Sequence, residues 1–397
     1  MNKTALLTIG AIVVLLGVFA NLANSATFNV TNPAEFQSAL TTAQSNGEDD
    51  TINVESGTYN IATTLTYTTS QNFSLTITGA GASTTILDGG GSVQPIFINA
   101  AGSSGAISIS DITIQNGLAS APGVNARGGG IYINSFYGKI TLSNCKIINN
   151  ISNGFGGGAY ILGQNGDITI DNCVIDNNSL NTDTGDDGGG LEIYVEIGGT
   201  ANITLTNSSI TNNSIGECPH SVGEGTPDGA GVAIYCIGTG NTITIRGNTI
   251  FNNSTLRGTA GGLLFRSYES CTFVFENNII QDNKAGNDSS EGAGGGGACC
   301  RFNGVDLNFS KNVFIGNQLA GQESCGGGLN LEVNSGANFK LFSNVFSNNT
   351  AGTRGGGAQI VIGPEVTNPI IAENLFVGNA TNTTDGCVGG GLNLASE

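Results

Sequence analysis

Apolar and polar positions alternate along this chain in short bursts. From Gly156 to Asn178 the sequence reads GGGAYILGQNGDITIDNCVIDNN. Three glycines open the run Ala159-Tyr160-Ile161. A polar bend leads to Ile168-Thr169-Ile170, and Cys173-Val174-Ile175 ends in Asn177-Asn178. Short runs rich in Ile, Val, Thr and Phe with a period of two predict strands. No internal stretch keeps a helical period over a dozen residues.

The same pattern recurs. The asparagine that closes each unit falls at 150, 178, 213, 253, 283, 317, 349 and 379, in steps of 28 to 40 residues. Glycine clusters precede the units, at 128–130, 156–158, 188–190, 294–297, 326–328, 355–357 and 389–391, with weaker versions at 229–231 and 260–262. A fixed-order repeat in this size range marks a solenoid. Strands at this spacing without crossover helices do not suit a doubly wound sheet. They suit strands that pair with their own equivalents one turn away. The expected fold is therefore all-β, a right-handed parallel β-helix, rising about 4.8 Å per turn.

The start of the chain breaks the pattern. Lys3, the apolar stretch from Ala5 to Ala20 and Ala23-Asn24-Ser25 predict a signal peptide over residues 1–25, with an apolar part too short to span a membrane. Export follows, to a secreted or cell-surface location, with no membrane span after cleavage. Residues 26–50 are expected to form an N-terminal cap. Asn32, Pro33 and Glu35 are helix-start signals, Ala34, Phe36 and Leu40 supply apolar material, and Gly47 stops the helix. The helix would cover the open solenoid end, which otherwise exposes strand edges. Residues 51–397 are assigned to the β-helix. Asp50-Thr51-Ile52-Asn53-Val54 begins it, Gly57-Thr58-Tyr59 is read as a bend, and the regular repeat starts at Gly128. The last residues, Gly391 to Glu397, fall within a turn, so the reading expects a truncated end or a cover supplied by something else.

Period two places side chains by face. With Ala159 and Ile161 inward, one outward column holds Tyr132, Tyr160, Glu192, Ala233, Leu264, Cys299, Asn330 and Gln359. A second, two residues on, holds Asn134, Leu162, Tyr194, Tyr235, Arg266, Arg301, Glu332 and Val361. Four of the eight tyrosines share this face with Glu192, Glu196, Arg266 and Arg301. Exposed rings flanked by polar groups suit sugar chains; the same rings would also stack along a sheet and stabilise it.

Composition narrows the classes. The 397 residues are 39% hydrophobic and 11% charged, with 63 glycines. Clustering at a period makes these glycines turns rather than linker. The net charge of −18 and the scattered basic residues exclude nucleic acid as a partner. An acidic surface fits a solvated extracellular protein. No cofactor is implied, though Asp183, Asp186 and Asp187, with Glu192 and Glu196 near Arg266, are a weak Ca²⁺ set without a fixed ligand loop. His220 stands alone in Cys218-Pro219-His220 and reads as a loop residue.

Of nine cysteines, Cys145 and Cys173 hold the same place in successive repeats. One strand spacing lies within disulfide range, and an inward thiol stack serves equally well. No zinc spacing is present. The recurring asparagines tolerate a left-handed backbone and stack as amide ladders.

Gly157-Gly158-Ala159 with Ile175-Asp176-Asn177-Asn178, and Gly356-Gly357-Ala358 with Phe376-Val377-Gly378-Asn379, resemble the GGA and FxxN repeats of chlamydial polymorphic outer-membrane proteins. Phe314 to Asn317 and Phe346 to Asn349 match FxxN outright. More broadly the chain is similar to bacterial secreted β-helix proteins of the pectin-lyase-like superfamily. The resemblance implies the solenoid fold and, from the chlamydial group, an adhesin role. The barrel that group uses for export has no counterpart here. Asn181-Thr182-Asp183 and Gly185-Asp186-Asp187 superficially resemble two polygalacturonase motifs. In that family they sit about one turn apart; here they share one loop, and the family's Gly-His-Gly and Arg-Ile-Lys are absent. Inverting hydrolysis needs carboxylates about 6.5–9.5 Å apart. The favoured expectation is a non-catalytic β-helix that contacts a polysaccharide or a host or matrix surface. The alternatives are a polysaccharide lyase or hydrolase, and a structural subunit that self-associates end to end.

Overall fold

The structure is a computed structural model that describes residues 25–120, 126–181, 187–216, 229–286, 294–321, 325–336, 338–382 and 389–396. Each turn of chain lays down four short strands, and every strand pairs in parallel with its equivalent one turn away. In one turn these are Ile140–Ser143, Lys146–Ile148, Ile151–Ser152 and Ala159–Gly163. We number their sheets I to IV in that order; among the described residues they contain 12, 11, 9 and 11 strands. The fold is the expected right-handed parallel β-helix. The fourth strand per turn was not legible, because two residues are too few to show alternation.

Inward side chains of all turns form one continuous core, from Val30 to Ile360. Aliphatic residues fill the early turns. Phenylalanines fill the later ones, with Phe275 and Phe309 4.6 Å apart and Phe314 and Phe346 4.9 Å apart between ring centroids. Such axial stacking turns one good packing choice into a repeated one.

Two corners are built alike. After the sheet II strand, Asn149, Asn177, Asn212, Asn252 and Asn348 adopt φ of 53–57°, the left-handed region that asparagine tolerates. The next residue turns inward and is buried: Asn150, Asn178, Asn213, Asn253 and Asn349. The backbone N and Nδ2 of Asn178 each donate to Asn213 Oδ1 at 3.0 Å, and Nδ2 also donates to the Ile147 carbonyl at 2.9 Å. The ladder runs from Asn150 to Asn379 as expected. The paired asparagines thus divide the work, one bending the chain and the next closing it.

A second ladder, which the sequence reading missed, lies at the corner between sheets I and II. It links Asn248, Asn278, Asn312, Asn344 and Asn374. Earlier turns fill this slot with Ser208, Cys173 and Cys145. Ser208 N donates to Asn248 Oδ1 at 2.9 Å, and Cys173 N donates to Ser208 Oγ at 3.1 Å. Cys145 and Cys173 are buried, unbridged thiols in this structure. The neighbouring Cys173 thiol and burial push the Cys145 thiol well above its ordinary range.

The cap differs from its expected boundary. Residues 1–24, read as the leader, lie outside the described residues. β1 (Ser25–Val30) already pairs in register with β2 (Asp49–Val54), so the first rung belongs to the solenoid. Helix α1 (Pro33–Ala43) is inserted between these rungs. Asn32 Oδ1 accepts from Glu35 N at 3.0 Å, and Glu35 reaches back to Thr31 N at 2.8 Å. Phe36, Ala39, Leu40 and Ala43 are buried, while Ala34 is exposed. The Gln37 amide exchanges hydrogen bonds with the Thr66 backbone, at 3.0 and 2.8 Å, covering the first edge of sheet IV. Gly57–Asn60 is a strand of sheet II rather than a bend. No described helix is long and apolar enough to cross a membrane.

Candidate functional site

The columns expected on the outer face of sheet IV stand in the expected register. Tyr132 lies beside Tyr160, Tyr160 beside Glu192, Leu162 beside Tyr194, Tyr194 beside Tyr235, and Arg266 beside Arg301. Their exposure is what changes. Tyr132, Tyr160 and Tyr235 are buried and Glu192 is only 2% exposed, which corrects the expectation of an open tyrosine surface.

The cause is the first glycine of each cluster. Gly128, Gly156 and Gly188 take φ of 66°, 60° and 76° and lay the incoming segment against the outside of the sheet. A Cβ on Gly128 would sit 3.0 Å from Tyr160 N, and one on Gly188 would sit 2.8 Å from Glu192 Cβ. Only glycine allows both the left-handed bend and this approach. The residue before each such glycine, Arg127, Phe155 or Asp187, is thereby carried over the sheet.

The result is a cleft of about 400 Å³. Tyr160, Leu162, Glu192, Tyr194 and Tyr235 form its floor. Arg127, Phe155 and Asp187 make one wall, and Glu196, Ile237 and Tyr268 the other. The Arg127 guanidinium lies 5.0 Å from the Tyr160 ring centre and 5.4 Å from that of Phe155. Tyr160 continues an aromatic stack through Tyr132 to Phe97, with centroids 5.8 and 4.8 Å apart. The Tyr235 hydroxyl donates to Asp187 Oδ2. Tyr194 and Tyr235 lie 6.0 Å apart.

Burial, then the nearby Glu192 carboxylate, pushes the Tyr160 phenol far up. Tyr194 is raised by burial and by Glu196. These phenols are hydrogen-bond donors at neutral pH rather than bases.

The structure thus gathers Tyr160, Tyr194, Tyr235, Glu192 and Glu196 in one cleft. Tyr132 lies within the stack, behind Tyr160 and outside the cleft lining. Arg266 borders the cleft, 6.0 Å from the Tyr235 ring, while Arg301 turns to Glu332 at 3.1 Å. Asp183, Asp186 and His220 lie outside the described residues, and Asp187 belongs to the cleft wall. Among the described residues no group of three or more His, Cys, Asp or Glu is placed to hold a metal ion. Arg127, Phe155 and Tyr268 were missed from sequence. The signal for the first two was their position directly before a glycine cluster.

Fold and cleft together define a solenoid that carries its recessed site on the outer face of one sheet. Residues 76–335 match the family model described as the right handed beta helix region, and the chain belongs to that family. Among curated proteins no sequence matches it. Among solved structures it is similar to the Agl-KA catalytic domain, at 16% identity and a TM-score of 0.28. That match covers 92% of this chain and 65% of the other, so the chain spans under two thirds of that protein. It is also similar to a mannuronic acid specific polysaccharide family 6 lyase from human gut microbiota. There the identity is 12%, the TM-score 0.32, and the coverage 81% of this chain and 86% of the other.

Proposed function

We propose that the sheet IV cleft binds a stretch of neutral polysaccharide without cleaving it, and that the protein acts outside the cell in contact with a glycan-bearing surface. One observation carries this reading: a recess of about 400 Å³ that combines tyrosine rings with carboxylates. Such recesses take small ligands through apolar faces and a few placed polar groups. Tyrosine offers both a flat face and a polar tip, and Asp187, Glu192 and Glu196 are acceptors for sugar hydroxyls. Three carboxylates against Arg127 leave the lining negative, which disfavours acidic chains. The raised Tyr160 phenol disfavours a lyase, which needs a group able to take a proton at neutral pH. End-to-end stacking through the first rungs is disfavoured by α1, which covers the first edge of sheet IV. Export rests on the leader read in residues 1–25.

The test is a panel of neutral and acidic polysaccharides, scored for binding and for new chain ends. Tyr194→Ala with Tyr268→Ala should weaken binding roughly 5- to 150-fold, at about 0.5–1.5 kcal/mol per ring, with the far-UV spectrum unchanged. Cleavage of any chain, or binding that ignores both rings, overturns the reading.

A further inference from the structure

The outer face of sheet I is unlike the rest of the surface. Its first outward column reads Thr27, Thr51, Thr76, Ser108, Thr141, Thr169, Thr204 and Thr244, eight consecutive rungs in register. Every member carries a hydroxyl and none carries a charge. The second column, two residues on, runs from Asn53 through Thr78, Ser110, Ser143 and Thr206, with Asp171 as an interruption, to Arg246. Members of the first column from Thr51 onward are half-exposed. Among the described residues, their hydroxyls form no hydrogen bond within the chain.

Threonine suits any exposed strand, so the column must be weighed against its own fold. In later turns the same position holds Val274, Asn308, Lys340 and Ile370, so the solenoid does not require a hydroxyl there. The outer face of sheet II is equally solvated, yet its column runs Lys146, Val174, Ser209, Thr249 and Ile279. Uniformity is confined to one face and to consecutive turns.

The spacing of this face is set from beneath. Strand pairing holds the rungs about 4.8 Å apart, and alternate residues hold the columns about 6.6 Å apart. The buried isoleucine rows and the asparagine ladders fix this register, so the array is ordered before any partner arrives. An ordered array loses little freedom on binding. Its first column offers hydroxyls and methyl groups at constant intervals, with no ring to stack on a sugar and no charge to recognise an ion. Its geometry is that of a lattice, and it suits water held at crystal spacing, where each hydroxyl replaces one lattice water and each threonine methyl fills the gap between.

We propose that the sheet I face from Thr51 to Thr244 binds the surface of ice. The site is separate from the sheet IV cleft and does not depend on the glycan reading. Lysine at 340 sits in the same column, so Thr141→Lys with Thr169→Lys should leave the fold intact while breaking lattice match and neutrality. The intact protein is expected to facet growing ice and to hold its freezing point below its melting point. The double variant should lose both, with thermal unfolding and polysaccharide binding unchanged. Absence of ice shaping by the intact protein, or its survival in the folded variant, overturns the proposal. So does adsorption to microcrystalline cellulose through this face without any effect on ice.

Discussion

Replacing Asn213 with alanine tests whether the buried ladder, rather than the core alone, holds the turns together. Asn213 Oδ1 accepts from Asn178 N and Asn178 Nδ2, each at 3.0 Å, and its own Nδ2 donates to the Ile175 carbonyl at 2.9 Å. That Nδ2 also donates to Asn253 Oδ1 at 2.9 Å, so alanine keeps the backbone bond from residue 213 to Asn253 Oδ1 and removes the four side-chain bonds. Asn178 N is left buried without an acceptor, and Asn178 Nδ2 keeps only the Ile147 carbonyl. An orphaned buried donor costs about 1–3 kcal/mol, so the loss should be about 2–5 kcal/mol. The control is its neighbour, Asn212, which is exposed with φ 55°. Gly316 and Gly378 occupy the same corner position in later turns, so Asn212→Gly should be nearly neutral. The assay is the urea midpoint, with native-state hydrogen exchange at the amides of 178 and 213. Because turns couple mainly to their neighbours, exchange should quicken around the altered rung first. Equal destabilisation by Asn213→Ala and Asn212→Gly would refute the ladder as a stabilising element.

Two further outcomes follow from the geometry. A Cβ on Gly190 would meet Gly231 O at 2.6 Å and Asn213 Cγ and Nδ2 at 2.8 Å, so Gly190→Ala should lower the urea midpoint by an amount equivalent to about 1–3 kcal/mol; an unchanged midpoint contradicts the packing. Burial pushes the Tyr67 phenol up to about 12, while the unfolded chain ionises near 10. Its contribution to stability is complete below pH of about 10 and is lost as pH rises towards 12. Tyr67→Phe should flatten the alkaline fall in an unfolding titration, and an unaltered slope would show that the group is not responsible.

Much of this protein is dictated locally. Asn150, Asn178, Asn213 and their successors recur because each turn must bend and close the same way, so their spacing gives axial height directly. From that height the alternation around Ala159 and Ile161 places Tyr160 beside Glu192 and Leu162 beside Tyr194 before any coordinate is known. The second ladder escaped because its early slots hold Cys145, Cys173 and Ser208, which hide an asparagine pattern that begins only at Asn248. The strands of sheet III escaped because two residues cannot show a period.

Tertiary structure alone decided which outward residues meet solvent. The face of a side chain follows from strand alternation, a property of neighbouring residues. Its exposure depends on whether another segment lies over it. Here Gly128, Gly156 and Gly188 bend the connecting segments back onto sheet IV, burying Tyr160 and Glu192 and bringing Arg127, Phe155 and Asp187 across from residues remote in sequence. Among the described residues no such segment crosses sheet I, and Thr141 and Thr169 are half-exposed. Pattern along the chain carries order and register, whereas the cleft arises from contacts between segments that no local pattern encodes.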